Sequence, residues 1–373
     1  MVASVGWLAP LTTWADDKPH PWGELLGSRS SADQECADVL FIGARGSGEP
    51  EGLGSTVELV RDELASTTSK SWTRTRQLYL DYPAADPHTL SAFGMDELVF
   101  RADMPQTLYF ASAVAGEREL ARVLATEHQR CPDEKVVLAG FSQGAEVITR
   151  ALNDTLAERL IGVVLVGNPA LYPTSDATAA SGPGLTNRSI GMSSALFYLR
   201  EIARSQATAD DPEGVNAVVR ATIGMYSNEY DEDALAAAVE RQHFTVPEDA
   251  PVYSACQLGD LVCDSARGLG RVVVGAGTLT DEIDRTRPIH GGYSAQHLRQ
   301  PLQAVTSHWL SLDKPVASEG ASPRPDRQTG AADQDWWQPG AIGATVALVL
   351  AVGIGLTRRG FTRHRARRDN TAD

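Results

Sequence analysis

The residues of this chain best equipped for chemistry are a serine, an aspartate and a histidine, met in that order. Ser142 stands in KVVLAGFSQGAE (Lys135 to Glu146), a G-x-S-x-G string that follows an apolar run and leads into GAEVITRAL, a good helix. A serine at a strand-turn-helix junction has the setting of a nucleophile elbow, which lifts its hydroxyl clear of the sheet. Gly140 and Gly144 suit that turn, because side chains there would collide with the neighbouring elements. The helix starting at Gln143 aims its first N–H groups toward the place where an oxyanion would form.

A serine hydroxyl is a weak nucleophile until a base takes its proton and an acid orients that base. CQLGDLVCD (Cys256 to Asp264) offers Asp260 and Asp264 as the acid. IHGGYSAQH (Ile289 to His297) offers His290, in a glycine-flanked loop, and His297 as the base. The order serine, acid, histidine is that of α/β-hydrolases.

Four segments, CADVLFIGARGSGE (Cys36 to Glu49), CPDEKVVLAGFSQG (Cys131 to Gly144), CQLGDLVC (Cys256 to Cys263) and HGGY (His290 to Tyr293), resemble the signature blocks of the cutinase family, in order. The resemblance runs from about Cys36 to Leu312. It implies Ser142 as nucleophile, Asp260 as orienting acid and His290 as general base. Ser47, through its hydroxyl and N–H, and Gln143, through its N–H, become oxyanion donors; Arg45 to Gly48 is also plain turn chemistry, in which Ser47 would only cap a turn. Cys36 is expected to pair with Cys131, and Cys256 with Cys263, closing a small loop around Asp260. The H-x-x-Y spacing favours His290 over His297, and the position inside the disulfide loop favours Asp260 over Asp264. His20, His88, His128, His243, His308 and His364 have no partner block and read as surface or packing residues. The implied chemistry is acyl transfer without metal or organic cofactor.

Positioning such a set takes a sheet. Asp38 to Ala44, Gln77 to Asp81, Lys135 to Ala139 and Ile161 to Gly167 are short runs rich in Val, Ile and Leu, as buried parallel strands should be. Thr56 to Ser66 and Ala111 to Gln129 have helical length and periodicity. The alternation predicts an α/β-hydrolase-type three-layer sandwich with a mainly parallel central sheet over residues 31–312. Cutinase-like chains pass quickly from the strand after the nucleophile helix to the acid loop. Here residues 171–250 intervene, with helices expected at Met192 to Ser205, Gly214 to Tyr226 and Asp231 to Gln242. Such a helical insertion is expected beside the rim of the site, where it would cover or shape the acyl pocket; the alternative is extra helices packed away from the site.

The net charge is −15, yet residues 358–373 hold six arginines against two aspartates, so the body of the chain carries −15 − 4 = −19. No basic face remains for nucleic acid. Four cysteines without a C-x-x-C pair favour disulfides over zinc, and with them an oxidising compartment. Residues 340–357 form an uncharged run that would rise about 27 Å as a helix, close to the ~30 Å of a bilayer core. With Trp336 and Trp337 before it and the arginines after it, this predicts a C-terminal transmembrane helix, a Pro/Ala/Ser-rich linker at 313–339 and a cytoplasmic basic tail at 358–373. Residues 1–30 read as a leader or a truncated signal region, since no basic residue precedes Lys18.

These readings together describe a monomeric, membrane-tethered, extracytoplasmic serine esterase acting on an acyl ester of lipid, polyester or envelope glycolipid. An acetylxylan-type carbohydrate esterase and a non-catalytic surface binding module are the alternatives.

Overall fold

Among the described residues seven parallel strands form one sheet, in the order β1-β3-β2-β4-β5-β7-β6. They are β1 (Leu25–Gly27), β2 (Val39–Ala44), β3 (Thr75–Tyr79), β4 (Lys135–Phe141), β5 (Leu160–Val166), β6 (Thr178–Ala179) and β7 (Val252–Ala255). This computed structural model describes residues 20–68, 74–152, 159–173, 178–179, 189–206, 212–246 and 251–312. Every residue of β2 and β5 is buried, which is why both read as unbroken apolar runs: helices cover each face of the sheet.

The two faces are separate cores. On one, Leu40, Ile42, Leu138 and Leu165 pack against α3 (Leu108–Arg130) and α4 (Gln143–Ala151). On the other, Phe41, Val137 and Val164 pack against α1 (Ser55–Thr68) and the final helix, Ala295–Leu312. This is the three-layer sandwich. The expected strands are present, with one or both bounds moved by one or two residues. The short β1, β6 and β7 were not anticipated; segments of two to four residues carry too little periodicity to read.

Among the described residues the remaining α-helices between β1 and β7 are α2 (Met95–Phe100), α5 (Met192–Gln206), α6 (Pro212–Ser227) and α7 (Glu232–Arg241); α8 (Ala266–Val273), α9 (Leu279–His290) and α10 (Ala295–Leu312) follow β7. Helices α5 to α7 lie in the expected insertion, and Asp231 caps α7 by accepting from the Ala234 N–H. They form a core of their own with residues from outside the insertion: Leu199, Val218 and Val239 join Leu98 of α2, Leu269 of α8 and Leu279 of α9. Buried Arg200 ties α5 to the end of α2, donating to the carbonyls of Leu98, Arg101 and Ala102.

Register brings the functional loops together. Ala44 pairs with Gly140, Phe141 with Val166 and Val166 with Ala255, so β2, β4, β5 and β7 end level. The loops bearing Ser47, Ser142, Gly167 and Asp260 therefore leave the sheet at one carboxyl edge, where open α/β sheets hold their ligands. Among the described residues no helix is long and apolar enough to cross a membrane. Of the leader read over 1–30, residues 1–19 lie outside the described residues, whereas Trp22 is buried in the core and Leu25–Gly27 form β1 beside β3, so residues 20–30 belong to the catalytic unit; the linker, anchor and tail segments at 313–373 also lie outside the described residues.

Candidate active site

Ser142 links β4 directly to α4 with φ 53° and ψ −122°, a left-handed backbone that a serine adopts only under constraint. Its N–H donates to the Val166 carbonyl at 2.9 Å, and its carbonyl accepts from Ala145 and Glu146 as the helix begins. A Cβ on Gly140 would sit 2.6 Å from the Gly144 carbonyl oxygen, and one on Gly144 would overlap the Ala44 carbonyl. The close approach at Gly144 seats the start of α4 against the end of β2, beside the loop carrying Ser47.

That loop is fastened from beneath. Buried Arg45 donates to the carbonyls of Glu49 (3.1 Å), Leu80 (3.2 Å) and Tyr82 (2.6 Å), and Tyr82 Oη donates back to the Arg45 carbonyl at 2.5 Å. Gln143, fully buried, is held by its side chain: Ser112 Oγ donates to Oε1 at 2.9 Å and Nε2 donates to the Tyr109 carbonyl at 3.0 Å. As the first residue of α4, Gln143 has no partner within the helix for its N–H.

Asp260 is fully buried in the loop after β7, and its Oδ2 lies 2.9 Å from His290 Nδ1. Tyr293 Oη donates to the same oxygen at 2.9 Å, and the Val262 N–H donates to Oδ1 at 2.9 Å. Tyr293 is in turn fixed by the Gln257 N–H at 3.1 Å. Burial, reinforced by the Asp260 charge, pushes the Tyr293 phenol well above its ordinary range, so it remains a donor. The His290 ring stacks on Phe141, centroids 4.7 Å apart. A carboxylate on Nδ1 leaves the other ring nitrogen, Nε2, to exchange a proton.

The loop is closed by the Cys256–Cys263 disulfide, and Cys36 is joined to Cys131. Asp264 serves the loop instead, accepting from the Gly259 N–H (2.7 Å) and Ser189 Oγ (2.8 Å). His297 Nδ1 bonds Ser294 at the start of α10. His290 does not sit in a glycine-flanked loop: it is the last residue of α9, and Gly291 and Gly292 follow the helix end. Thr278 and Asp281 form a capping box that starts this helix, a local signal that preceded the histidine block.

Ser47, Ser142 and His290 line one cavity of about 250 Å³ with Phe141, Leu261 and Ile283. Among the described residues of the insertion only Met192 reaches it; α9, which forms another wall, is braced by the insertion core. The site also depends on residues that spacing did not single out. Gly167, at φ +58°, stands where a Cβ would lie 2.9 Å from His290 Cε1 and 3.4 Å from Asp260 Oδ2. Its only signal was a glycine directly after an apolar strand. His88, read as a surface or packing residue, lines the cavity mouth. Glu127, Cys131 and Glu134 lie within metal-binding distance of one another, but Cys131 is in a disulfide and Arg76 bonds both carboxylates.

The sequence profile of the cutinase family matches residues 35–271. Carboxylesterase Culp1 of Mycobacterium tuberculosis is 32% identical over 149 residues, 39% of this chain and 57% of that protein. Cutinase 4 of Emericella nidulans is 30% identical over 154 residues, 40% of this chain and 59% of that one. The chain thus spans less than two thirds of the length of these curated relatives. The catalytic core domain of the Trichoderma reesei acetyl xylan esterase is 16% identical, with 74% of this chain and all of that chain covered, at a TM-score of 0.41. The profile contains Ser47, Ser142 and Asp260 but stops before His290 and Tyr293, which the fold alone carries to the Asp260 loop. On the strength of that match, which extends over more than half of its residues, the chain belongs to the cutinase family.

Proposed function

We propose that this chain is a serine carboxylic ester hydrolase with Ser142 as nucleophile, His290 as general base and Asp260 as orienting acid. The observation that carries this reading is the 2.9 Å contact of His290 Nδ1 with the buried Asp260 carboxylate, on the wall of the cavity that Ser142 lines. Asp260 holds the imidazole with its proton on Nδ1, so Nε2 accepts the Ser142 proton as Oγ attacks the ester carbonyl. The tetrahedral oxyanion takes hydrogen bonds from Ser47 and the Gln143 N–H, both rigidly mounted. His290 then returns its proton to the leaving alcohol. Water hydrolyses the acyl-enzyme by the same route.

The cavity, about 250 Å³, falls below the usual range of ~300–1,000 Å³ for small-molecule pockets, and this supports a short acyl group. The substrate class is an acyl ester of lipid, polyester or envelope glycolipid; the second reading, an acetylxylan-type carbohydrate esterase, is favoured by the small cavity volume. The two disulfides support an oxidising compartment, and residues 336–373 support a membrane tether with the catalytic unit outside the cell.

The test is a chain-length series of chromogenic esters with organophosphonate labelling. Wild-type protein should turn over esters and be labelled at Ser142, while Ser142→Ala should lose both, with kcat falling on the order of a millionfold. Persistent labelling of that variant would sink the assignment. Acetate preference with turnover of acetylated xylan would select the carbohydrate esterase.

A further inference from the structure

At the solvent edge of the cavity, two of its walls are tied together by side chains that the acyl-transfer steps do not use. One wall is the turn Pro87–Thr89 and the other is α9. His88 Nδ1 lies 2.8 Å from Asp86 Oδ1 on its own turn, and His88 Nε2 lies 3.1 Å from Asp284 Oδ1 across the gap. Arg287, also on α9, reaches Asp284 Oδ1 at 2.7 Å and His88 Nε2 at 3.4 Å. A second tie, Thr280 Oγ1 to Ser91 Oγ at 2.9 Å, joins the first turn of α9 to the segment after the 87–89 turn.

A charged ring donates to both carboxylates, and Asp284 also accepts from Arg287, so it is the group across the gap that holds both the ring and the guanidinium. The turn itself is pinned, because the His88 N–H also donates to Asp86 Oδ1 at 2.8 Å. Asp86, Pro87, His88 and Arg287 line the cavity with apolar Leu261 and Ile283, so the charged bridge edges an apolar slot. All four of its charged or titratable side chains are at least a third solvent-exposed or nearly so, and exposed pairs of this kind break at small cost.

We infer that the bridge from His88 to Asp284 and Arg287 determines acyl length, holding the walls at a spacing that admits a short acyl group and parting to admit a longer one. The inference rests on Ser142 being the esterase nucleophile. It assigns specificity to side chains that touch neither the reacting atoms nor the His290–Asp260 pair.

The variant that tests it is Asp284→Ala, which removes the carboxylate shared by His88 and Arg287 without altering a residue that lines the cavity. The readout is kcat/KM for p-nitrophenyl octanoate divided by that for the acetate. This ratio should rise roughly two- to fivefold, the scale of an exposed ion pair. His88→Ala should raise it similarly, and the double variant no further, because one interaction is lost in all three. In about 1 M NaCl, where the screening length is about 3 Å, the wild-type ratio should rise and that of Asp284→Ala should not. An unchanged ratio in Asp284→Ala with both esters still hydrolysed, or additive single variants, would overturn the inference and leave the esterase reading standing. Absence of wild-type turnover and of Ser142 labelling would remove the esterase reading, and the inference with it.

Discussion

Ser142 holds a backbone conformation of a kind that costs about 1–3 kcal/mol, and its N–H bond to Val166 together with the close seating of Gly144 maintains it. Ser47 is the opposite case. It lines the cavity on a loop fastened by Arg45, so its hydroxyl and N–H are presented by a rigid support rather than by strain. If that hydroxyl stabilises the oxyanion, Ser47→Ala should lower kcat about a hundred- to a thousandfold with little change in KM. Steady-state kinetics on a short ester would show it, and a wild-type rate would return Ser47 to the role of a turn residue. Tyr293 shows a limit of motif reading: H-x-x-Y marked the tyrosine as a pattern element, but its bond to Asp260 Oδ2 needed the folded loop.

Among elements, the acid loop and the end of β5 are mutually fitted. Gly167 leaves β5 with φ +58°, and the space a side chain would fill is taken by the His290 ring and the Asp260 carboxylate. Gly167→Ala therefore meets two penalties, a left-handed backbone and a clash with His290 Cε1 at 2.9 Å. It should lower kcat by up to about a hundredfold, the scale of a displacement near 1 Å at a catalytic group, and lower Tm. Kinetics with a thermal melt would check both, and unchanged values would mean that the imidazole is not confined at this point. Helix α9 links the other elements to the site: its Leu279 belongs to the insertion core while its last residue is His290. The insertion accordingly braces the wall that carries the base and, among its described residues, contributes Met192 alone to the cavity.

For the whole molecule, the expected tether is tested by fractionation. The 18 uncharged residues at 340–357, bounded by Trp336, Trp337 and the arginines from 358 onward, should hold the full-length protein in a carbonate-washed membrane fraction. A chain ending at Leu312, the last residue of α10, should be soluble and keep its esterase activity. Full-length protein recovered in the carbonate supernatant would reject the anchor.

What the amino-acid sequence determined by itself is local or is carried by motif. The runs of β2, β4 and β5 are legible because burial on both faces demands continuous apolar residues. The insertion helices are legible because their apolar residues recur at helical spacing between breakers. The elbow at Ser142 is legible because glycines stand at 140 and 144, where side chains would collide with the neighbouring backbone, around a serine between strand and helix. Tertiary structure alone decided that His290 ends a helix, that Gly167 makes room for the His290–Asp260 pair, that α2, α8 and α9 complete the insertion core, and that His88 meets Asp284. His88 and Asp284 are 196 residues apart, and no local periodicity encodes a contact made only when a turn and a distant helix are packed together by the fold.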